Sequence, residues 1–169
     1  FNARFGDTFV IPEMMTRMIK VPGLDGEKMG KSEGDNAIDV NSPIPEILKR
    51  YQQKGITDPA RKRATDPGDP YNGCRSVYAI HELVTEGEVE TRQIANACLT
   101  AGIGCVECKR RLVDGIAKLL VPFQERRRVL DNQTSYVEEV LYDGGRRARA
   151  LIAPTVAIVR EKMGIVSYQ

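Results

Sequence analysis

Two lysines three residues apart form the first group in this sequence that could do chemistry. The segment Lys28-Met29-Gly30-Lys31-Ser32 follows Gly23-Leu24-Asp25-Gly26 and precedes Gly34, so both ammonium groups lie in a glycine-rich loop. Positive charges on flexible side chains can close around a polyphosphate and stabilise the charge that grows on a leaving pyrophosphate. From the residue types alone, a solvated basic turn also explains the segment.

The four cysteines form the second candidate group. They follow the spacing Cys74-x23-Cys98-x6-Cys105-x2-Cys108. Four thiolates suit tetrahedral zinc or an iron–sulfur cluster, and a single C-x2-C pair with two further cysteines favours the cluster over a zinc ribbon. Since all four ligands would come from the protein, the pattern indicates a structural site. Unrelated buried thiols are the remaining alternative, because nothing indicates the secretion that disulfides require.

The distribution of charge is uneven along the 169 residues, although the net charge is only +2. Residues 109–169 carry 12 basic and 7 acidic side chains, whereas residues 1–45 carry 5 and 7. This excess predicts an anionic partner, with nucleic acid as the leading candidate. The run Lys109-Arg110-Arg111 beside the last cysteine is the candidate RNA contact, with a solvated helix face as the alternative.

Composition excludes several classes of protein. With 41% hydrophobic and 28% charged residues, the chain can bury a core and lacks the composition of a disordered protein. No window approaches the ~18 uninterrupted apolar residues of a membrane span. The N-terminus shows no basic region followed by an apolar stretch, so a secretory signal is not expected.

The elements that must position these groups are mostly helical. Residues 7–11 predict one short strand stopped by Pro12. Gly-, Asp- and Pro-rich segments at 22–45 and 64–74 predict loops. Apolar spacing predicts helices around 47–51, 77–84, Glu88–Leu99, 112–120, 136–141 and 148–159. The fifth is expected to end at Gly144-Gly145, and Pro154 is expected to kink or split the last.

Several segments together resemble one known family. The lysine segment resembles the K-M-S-K-S signature of class I aminoacyl-tRNA synthetases, and its context resembles the bacterial tryptophanyl-tRNA synthetases. The similar segments are 1–6, 9–13, 23–26, 65–67, 100–109 and 145–164. The cysteine spacing is similar to that of a subset of these enzymes that carries a [4Fe–4S] cluster in the anticodon-binding domain.

The resemblance implies both a fold and an activity. Residues 1–45 would be the end of a Rossmann-type α/β catalytic domain, and residues 46–169 an all-helical anticodon-binding domain, so that the chain is mainly α. The implied enzyme is a cytoplasmic, non-membrane ligase, expected as a homodimer, that activates tryptophan with ATP and Mg²⁺ and transfers it to tRNA(Trp).

The resemblance also assigns roles to individual residues. Lys28 and Lys31 would stabilise the pyrophosphate. Met29 would pack near the adenine, and Gly30 and Ser32 would lie against the phosphates. The cluster, with zinc as the alternative, would be held by Cys74, Cys98, Cys105 and Cys108.

Two departures from the signature concern the lysine loop. Gly30 replaces the usual Ser, and Asp35 makes the stretch from Ser32 to Asn36 one residue longer than the usual pattern, which leaves the role of Asn36 open. The family's upstream H-I-G-H motif does not occur, and the only histidine, His81, is expected to be a packing residue. The chain is therefore expected to be the C-terminal part of a longer enzyme and inactive by itself.

Three other functions compete with a tryptophan-specific ligase. The first is a non-catalytic RNA-binding module from a truncated synthetase paralogue, which would have little reason to retain both lysines. The second is a tyrosyl-type class I synthetase, because that group shares the signature loop. The third is a redox carrier using the cluster, for which the sequence offers no flavin or partner motif.

Overall fold

A computed structural model describes residues 1–13, 20–30, 32 and 34–165. Within these ranges the chain is mainly helical and contains no strand, in agreement with the predicted mainly α class. The helices are α1 (Asn2–Phe5), α2 (Ile44–Lys54), α3 (Val77–Val84), α4 (Glu88–Leu99), α5 (Cys105–Asp131) and α6 (Thr134–Met163). None of the helices in the described ranges combines the length and apolar character that a bilayer span requires.

The chain forms two compact units, Ile19–Arg127 and a second made of Phe1–Met18 with Arg128–Gln169. The lysine loop and all four cysteines therefore belong to the same unit. The boundary expected after residue 45 separates two domains by their role in the enzyme, whereas these units are separated by their internal contacts. That boundary therefore stays a prediction.

The hydrophobic core of the first unit explains why α2 to α5 form where apolar spacing predicts them. Each of these helices buries one face. The buried residues include Ile47 and Tyr51 of α2, Val77 and Ile80 of α3, Ile94 and Ala95 of α4, and Leu112, Val113 and Ile116 of α5. The loop residue Leu24 is also buried in this core, at 1% exposure. The lysine loop is thus anchored to the core a few residues before its first lysine.

The last two predicted helices are one. Helix α6 runs through Gly144-Gly145 and Pro154 to Met163, so the predicted end at the glycine pair was wrong. A glycine inside a helix costs about 1 kcal/mol without terminating it. Neither glycine has a positive φ, whereas the residue after α6, Gly164, has a φ of 67°. Helix α6 has no buried residue.

The predicted strand at 7–11 was also wrong. The side-chain oxygen of Asn2 accepts hydrogen bonds from the backbone amides of Thr8 (3.2 Å) and Phe9 (3.0 Å), and its amide donates to the Phe9 carbonyl (2.7 Å). The ring of Phe9 packs against Phe1 at 5.1 Å. Because the Asn2 side chain forms hydrogen bonds with these backbone groups, residues 8 and 9 fold back on α1.

Candidate functional site

The lysine loop begins as a tight reversal of the chain. Pro22 and Lys28 form an antiparallel bridge, and the Met29 amide donates to the Val21 carbonyl at 2.9 Å. Gly26 makes the turn possible because its φ is +78°, a conformation that residues with a side chain rarely adopt. A Cβ there would also lie 3.1 Å from Cβ of Arg75. The loop therefore sits directly against the residue that follows Cys74.

Asn36 holds the far side of the loop. Its side-chain amide donates to both carboxylate oxygens of Asp25 and to the Lys28 carbonyl, each at 3.1 Å. Its side-chain oxygen accepts from the Gly30 amide at 3.2 Å, and its backbone carbonyl accepts from the Leu24 amide at 2.9 Å. Asn36 is only 3% exposed. One buried side chain thus fixes the backbone on both sides of Met29.

The described residues predicted to be functional in the loop are more exposed to solvent than Asn36, whose hydrogen bonds hold the loop backbone. Lys28 and Ser32 are exposed, and Met29 and Gly30 are half-buried. Lys28 also lines a cavity of about 480 Å³ between the loop and α3, together with Lys20, Glu27 and Glu82. Lys31 lies outside the described residues.

The extra residue of the loop, Asp35, is paired with α2. Its carboxylate accepts a hydrogen bond from Arg50 at 2.5 Å and another from Lys54. The Lys54 hydrogen bond, followed by that of Arg50, holds the pKa of Asp35 below its usual value. The extra residue therefore lies at the surface of the protein, and Asn36 still occupies its buried position.

The four cysteines, which are distant in sequence, line one cavity. Thr57, Asp58, Arg61 and Ile103 complete its lining. Cys74 precedes α3, Cys98 lies near the end of α4, and Cys105 and Cys108 form the first turn of α5. The fold therefore brings the four cysteines to one cavity, and all four are free thiols.

Burial favours the neutral form of three of the four thiols. It raises the pKa of Cys74 to about 11 and that of Cys108 to about 12, and it also raises the pKa of Cys98. Nitrogen atoms nevertheless lie close to three of the four sulfur atoms. The Tyr78 amide donates to Cys74 Sγ at 3.3 Å, and His81 Nε2 lies 3.5 Å from Cys108 Sγ.

No group of three or more Cys, His, Asp or Glu side chains in the described ranges is arranged to hold a single metal ion. Tetrahedral zinc needs four donors about 2.3 Å from one centre. As the thiols stand, they surround a common space without meeting that requirement.

Arg61 brings positive charge to the cysteine cavity. Its Nη1 lies 3.7 Å from Cys98 Sγ, and its Nη2 donates to the carbonyls of Ala64 (2.6 Å) and Ile103 (2.8 Å). Its Nε atom is buried and has no hydrogen-bond partner among the described residues. A buried donor without an acceptor is costly, and the described side chains supply no acceptor for this nitrogen.

The three basic residues after Cys108 have different surroundings. Lys109 is 8% exposed and its Nζ lies 3.4 Å from the Gln52 carbonyl. Burial lowers its pKa. Arg110 and Arg111 are exposed and pair with Glu107 at 3.3 and 3.4 Å. Either arginine can release Glu107 and bind an external anion in its place.

His81 is a packing residue, as predicted. It is fully buried, and its Nδ1 lies 3.0 Å from Thr85 Oγ1 while Nε2 lies 3.1 Å from the Cys108 carbonyl. Sequence reasoning missed Arg61, and it left Asn36 without a role. The position of Asn36 after the signature was the available signal for one; nothing in the sequence around Arg61 distinguishes it from neighbouring basic residues.

Comparison with known proteins identifies relatives over nearly the whole chain. The family described as tRNA synthetases class I (W and Y) matches residues 1–121. The tryptophan–tRNA ligase of Aquifex aeolicus is 38% identical over 98% of this chain and 41% of its own length. That of Thermotoga maritima is 37% identical over 98% of this chain and 50% of its own length.

Solved structures agree. The crystal structure of tryptophanyl-tRNA synthetase from Campylobacter jejuni superimposes with a TM-score of 0.76 and 27% identity, covering 96% of this chain and 50% of that one. The same enzyme complexed with ADP and tryptophan gives a TM-score of 0.77 at 25% identity. The chain spans about half the length of such relatives or somewhat less.

Proposed function

The chain belongs to the family of tRNA synthetases class I (W and Y), and we propose that it is the C-terminal part of a tryptophan–tRNA ligase. The observation that carries this proposal is the 38% identity, over 98% of the chain, to a protein named for that activity. The whole enzyme would use tryptophan, ATP with Mg²⁺, and tRNA(Trp), and would work in the cytoplasm as a homodimer.

The proposed reaction has two steps. A carboxylate oxygen of tryptophan attacks the α-phosphorus of ATP, and the bond to the β-phosphate oxygen breaks to release pyrophosphate. The terminal ribose hydroxyl of the tRNA then attacks the carbonyl carbon of the adenylate, and AMP leaves. Negative charge grows on pyrophosphate in the first step, so fixed positive charge beside it lowers the barrier.

The lysine loop supplies that charge in our proposal. Lys28 and Lys31 stabilise the leaving pyrophosphate, Met29 packs near the adenine, and Gly30 and Ser32 lie against phosphate oxygens. In support, the Lys28 side chain is exposed while its carbonyl is bonded to the buried Asn36. Such an arrangement positions the backbone and leaves the ammonium group free to reach an anion, which favours catalysis by orientation.

We also propose that Cys74, Cys98, Cys105 and Cys108 hold a [4Fe–4S] cluster, with zinc as the alternative. The donor set fits, because four thiols line one cavity. The buried Nε of Arg61 lacks an acceptor, as expected beside an anionic group. When bound, the cluster would supply a structural cross-link between the start of α3, the end of α4 and the start of α5.

Next to this site we propose the tRNA-binding face. Arg110 and Arg111 are exposed on the first turns of α5 and can contact phosphates or stack on unpaired bases. Lys109 is included in the predicted face, and its buried ammonium group gives it a supporting position behind the two arginines.

The test of the activity is ATP–pyrophosphate exchange by the full-length protein that contains this chain. Exchange that depends on tryptophan, followed by charging of tRNA(Trp), is the expected result. Exchange that depends on tyrosine would instead assign the tyrosyl branch of the family. Binding of tRNA with no exchange for either amino acid would overturn the ligase and favour the RNA-binding module.

A further inference from the structure

The side chain of Asn36 forms hydrogen bonds with three other residues of the lysine loop. Both hydrogens of its amide are used, by the Asp25 carboxylate and by the Lys28 carbonyl, and its oxygen accepts from the Gly30 amide. These contacts span the loop from residue 25 to residue 30. A side chain at 3% exposure that bonds to three loop residues determines where their backbone lies.

Gly23 makes room for this arrangement. A Cβ at position 23 would lie 2.8 Å from both Cγ and Nδ2 of Asn36, closer than real Cβ atoms come. The amide of Asn36 therefore occupies space that any larger residue at 23 would take. This contact offers a way to displace the Asn36 side chain without changing its chemistry.

We propose that Asn36 is a positioning residue of the adenylation reaction: it fixes the backbone of Lys28 and Gly30, and thereby the place from which Lys28 acts on the pyrophosphate. This role rests on the proposed ligase function. The side chain of Asn36 is engaged in contacts within the loop. It acts through the loop, in which the lysine ammonium stays free while the main chain beneath it is held.

The role requires an amide at position 36. In Asn36→Asp the new carboxylate would face the Asp25 carboxylate across the distance now bridged by a hydrogen bond at 3.1 Å, and it could not donate to the Lys28 carbonyl. Like charges at this distance repel. Gly23→Ala should have the same effect by steric displacement, although it leaves every hydrogen-bonding group in place.

The experiment uses the full-length protein with both variants and two matched controls. Asn41→Asp makes the same change at an exposed position beyond the loop, and Gly144→Ala adds a Cβ where nothing lies within 4 Å. We expect both loop variants to lower kcat for tryptophan-dependent ATP–pyrophosphate exchange by roughly 10- to 100-fold, with the KM for tryptophan within about twofold of wild type. Hydrogen exchange of the Gly30 amide should accelerate about tenfold or more in the same variants.

The amide measurement separates a positioning role from a structural one. If the Gly30 amide loses protection while kcat equals that of the controls, Asn36 only stabilises the loop and the proposal is overturned. If the amide stays protected in both variants, the proposed fixation is absent and the proposal is again overturned. A wild-type protein without exchange overturns the ligase function itself, whereas an active wild type with equally active variants overturns only the role of Asn36.

Discussion

The lysine loop and the cysteine cavity hold their functional groups in opposite ways. In the loop, Lys28 is exposed and its support, Asn36, is buried. In the cavity the cysteines are themselves buried or half-buried, with Cys74 at 7% exposure, and nitrogen atoms of Arg61 and Tyr78 lie beside two of the sulfur atoms. Both sites belong to the same compact unit, so the difference between them is local.

Charge that must meet and release a substrate needs access to solvent, whereas a ligand that holds a permanent group benefits from burial. Substitution of an exposed charge removes little packing, so it should change rate without changing stability. Substitution of a buried ligand should change stability first. The two regions therefore predict opposite patterns of activity and melting temperature.

The largest effect is expected from the lysines. Lys28→Ala or Lys31→Ala in the full-length protein should lower kcat for ATP–pyrophosphate exchange by roughly 10²- to 10³-fold, because each removes charge stabilisation from the leaving group. The Tm should stay within about 1 °C of wild type. Lys49→Ala, an exposed lysine on α2, is the matched control. Full activity in both lysine variants would remove the loop from the mechanism.

The next largest effect is expected in the cysteine cavity, where a substitution should lower the melting temperature more than the exchange activity. Cys105→Ser should abolish incorporation of iron and acid-labile sulfide and lower the Tm by more than about 5 °C, while exchange activity per folded molecule falls by less than about threefold. Metal analysis, melting curves and exchange rates check this. Thr57→Ser, in the lining of the same cavity, is the control. A Cys105→Ser protein that is fully loaded with metal and melts normally would contradict the site.

Substitutions in a third region, the exposed arginines beside the cavity, should change function without changing stability, as in the lysine loop. Arg110→Glu should weaken tRNA binding several-fold and reduce the slope of log K against log salt by about 1 to 2, because a phosphate contact is lost and its charge reversed. Lys118→Glu, an exposed cation on the same helix, tests whether any charge on α5 has this effect. Equal losses in the two variants would indicate general electrostatic attraction in place of a defined face.

Local patterns predicted the helices well where one face is buried. Helix α4 spans Glu88–Leu99 as expected, and α2 and α3 enclose the apolar residues that predicted them. The same reasoning failed for α6, because glycine and proline indicate only a local preference. The helical turns on both sides continue through them. It failed for residues 7–11 because a strand depends on a pairing partner, which a run of β-branched residues cannot reveal.

The sequence singled out the lysines and cysteines as candidate functional groups, but it did not reveal the residues that contact them. The spacing of the cysteines indicated a candidate metal site, and the fold brings the four residues to one cavity. The contact of Asn36 with Asp25 and that of Arg61 with Cys98 join residues 11 and 37 positions apart. Such contacts arise only when the elements pack, and neither asparagine nor arginine is rare enough in loops to indicate them beforehand.

The smallest effect is expected at Asp35, which belongs to the support of the loop although it lies on the surface. Hydrogen bonds from Lys54 and then Arg50 lower the pKa of Asp35 in the folded state, so its contribution to stability is complete above the unfolded pKa of about 3.9 and disappears as pH falls through the lower folded value. Asp35→Asn should therefore lower the Tm at pH 7 by roughly 1–3 °C, and the difference from wild type should shrink as the pH falls from 5 toward 2.5.

Melting curves at several pH values test this, with Asp114→Asn on α5 as the matched neutralisation. A Tm difference that does not shrink as the pH falls would contradict the ion pairs as its source. The exchange assay adds the comparison between regions: Asp35 is attached to α2 and precedes the buried Asn36, so loss of its ion pairs should leave Lys28 in place and kcat within about twofold of wild type. A larger fall in kcat with an unchanged Tm would mean that the surface support, as well as the buried amide, determines how the lysines act.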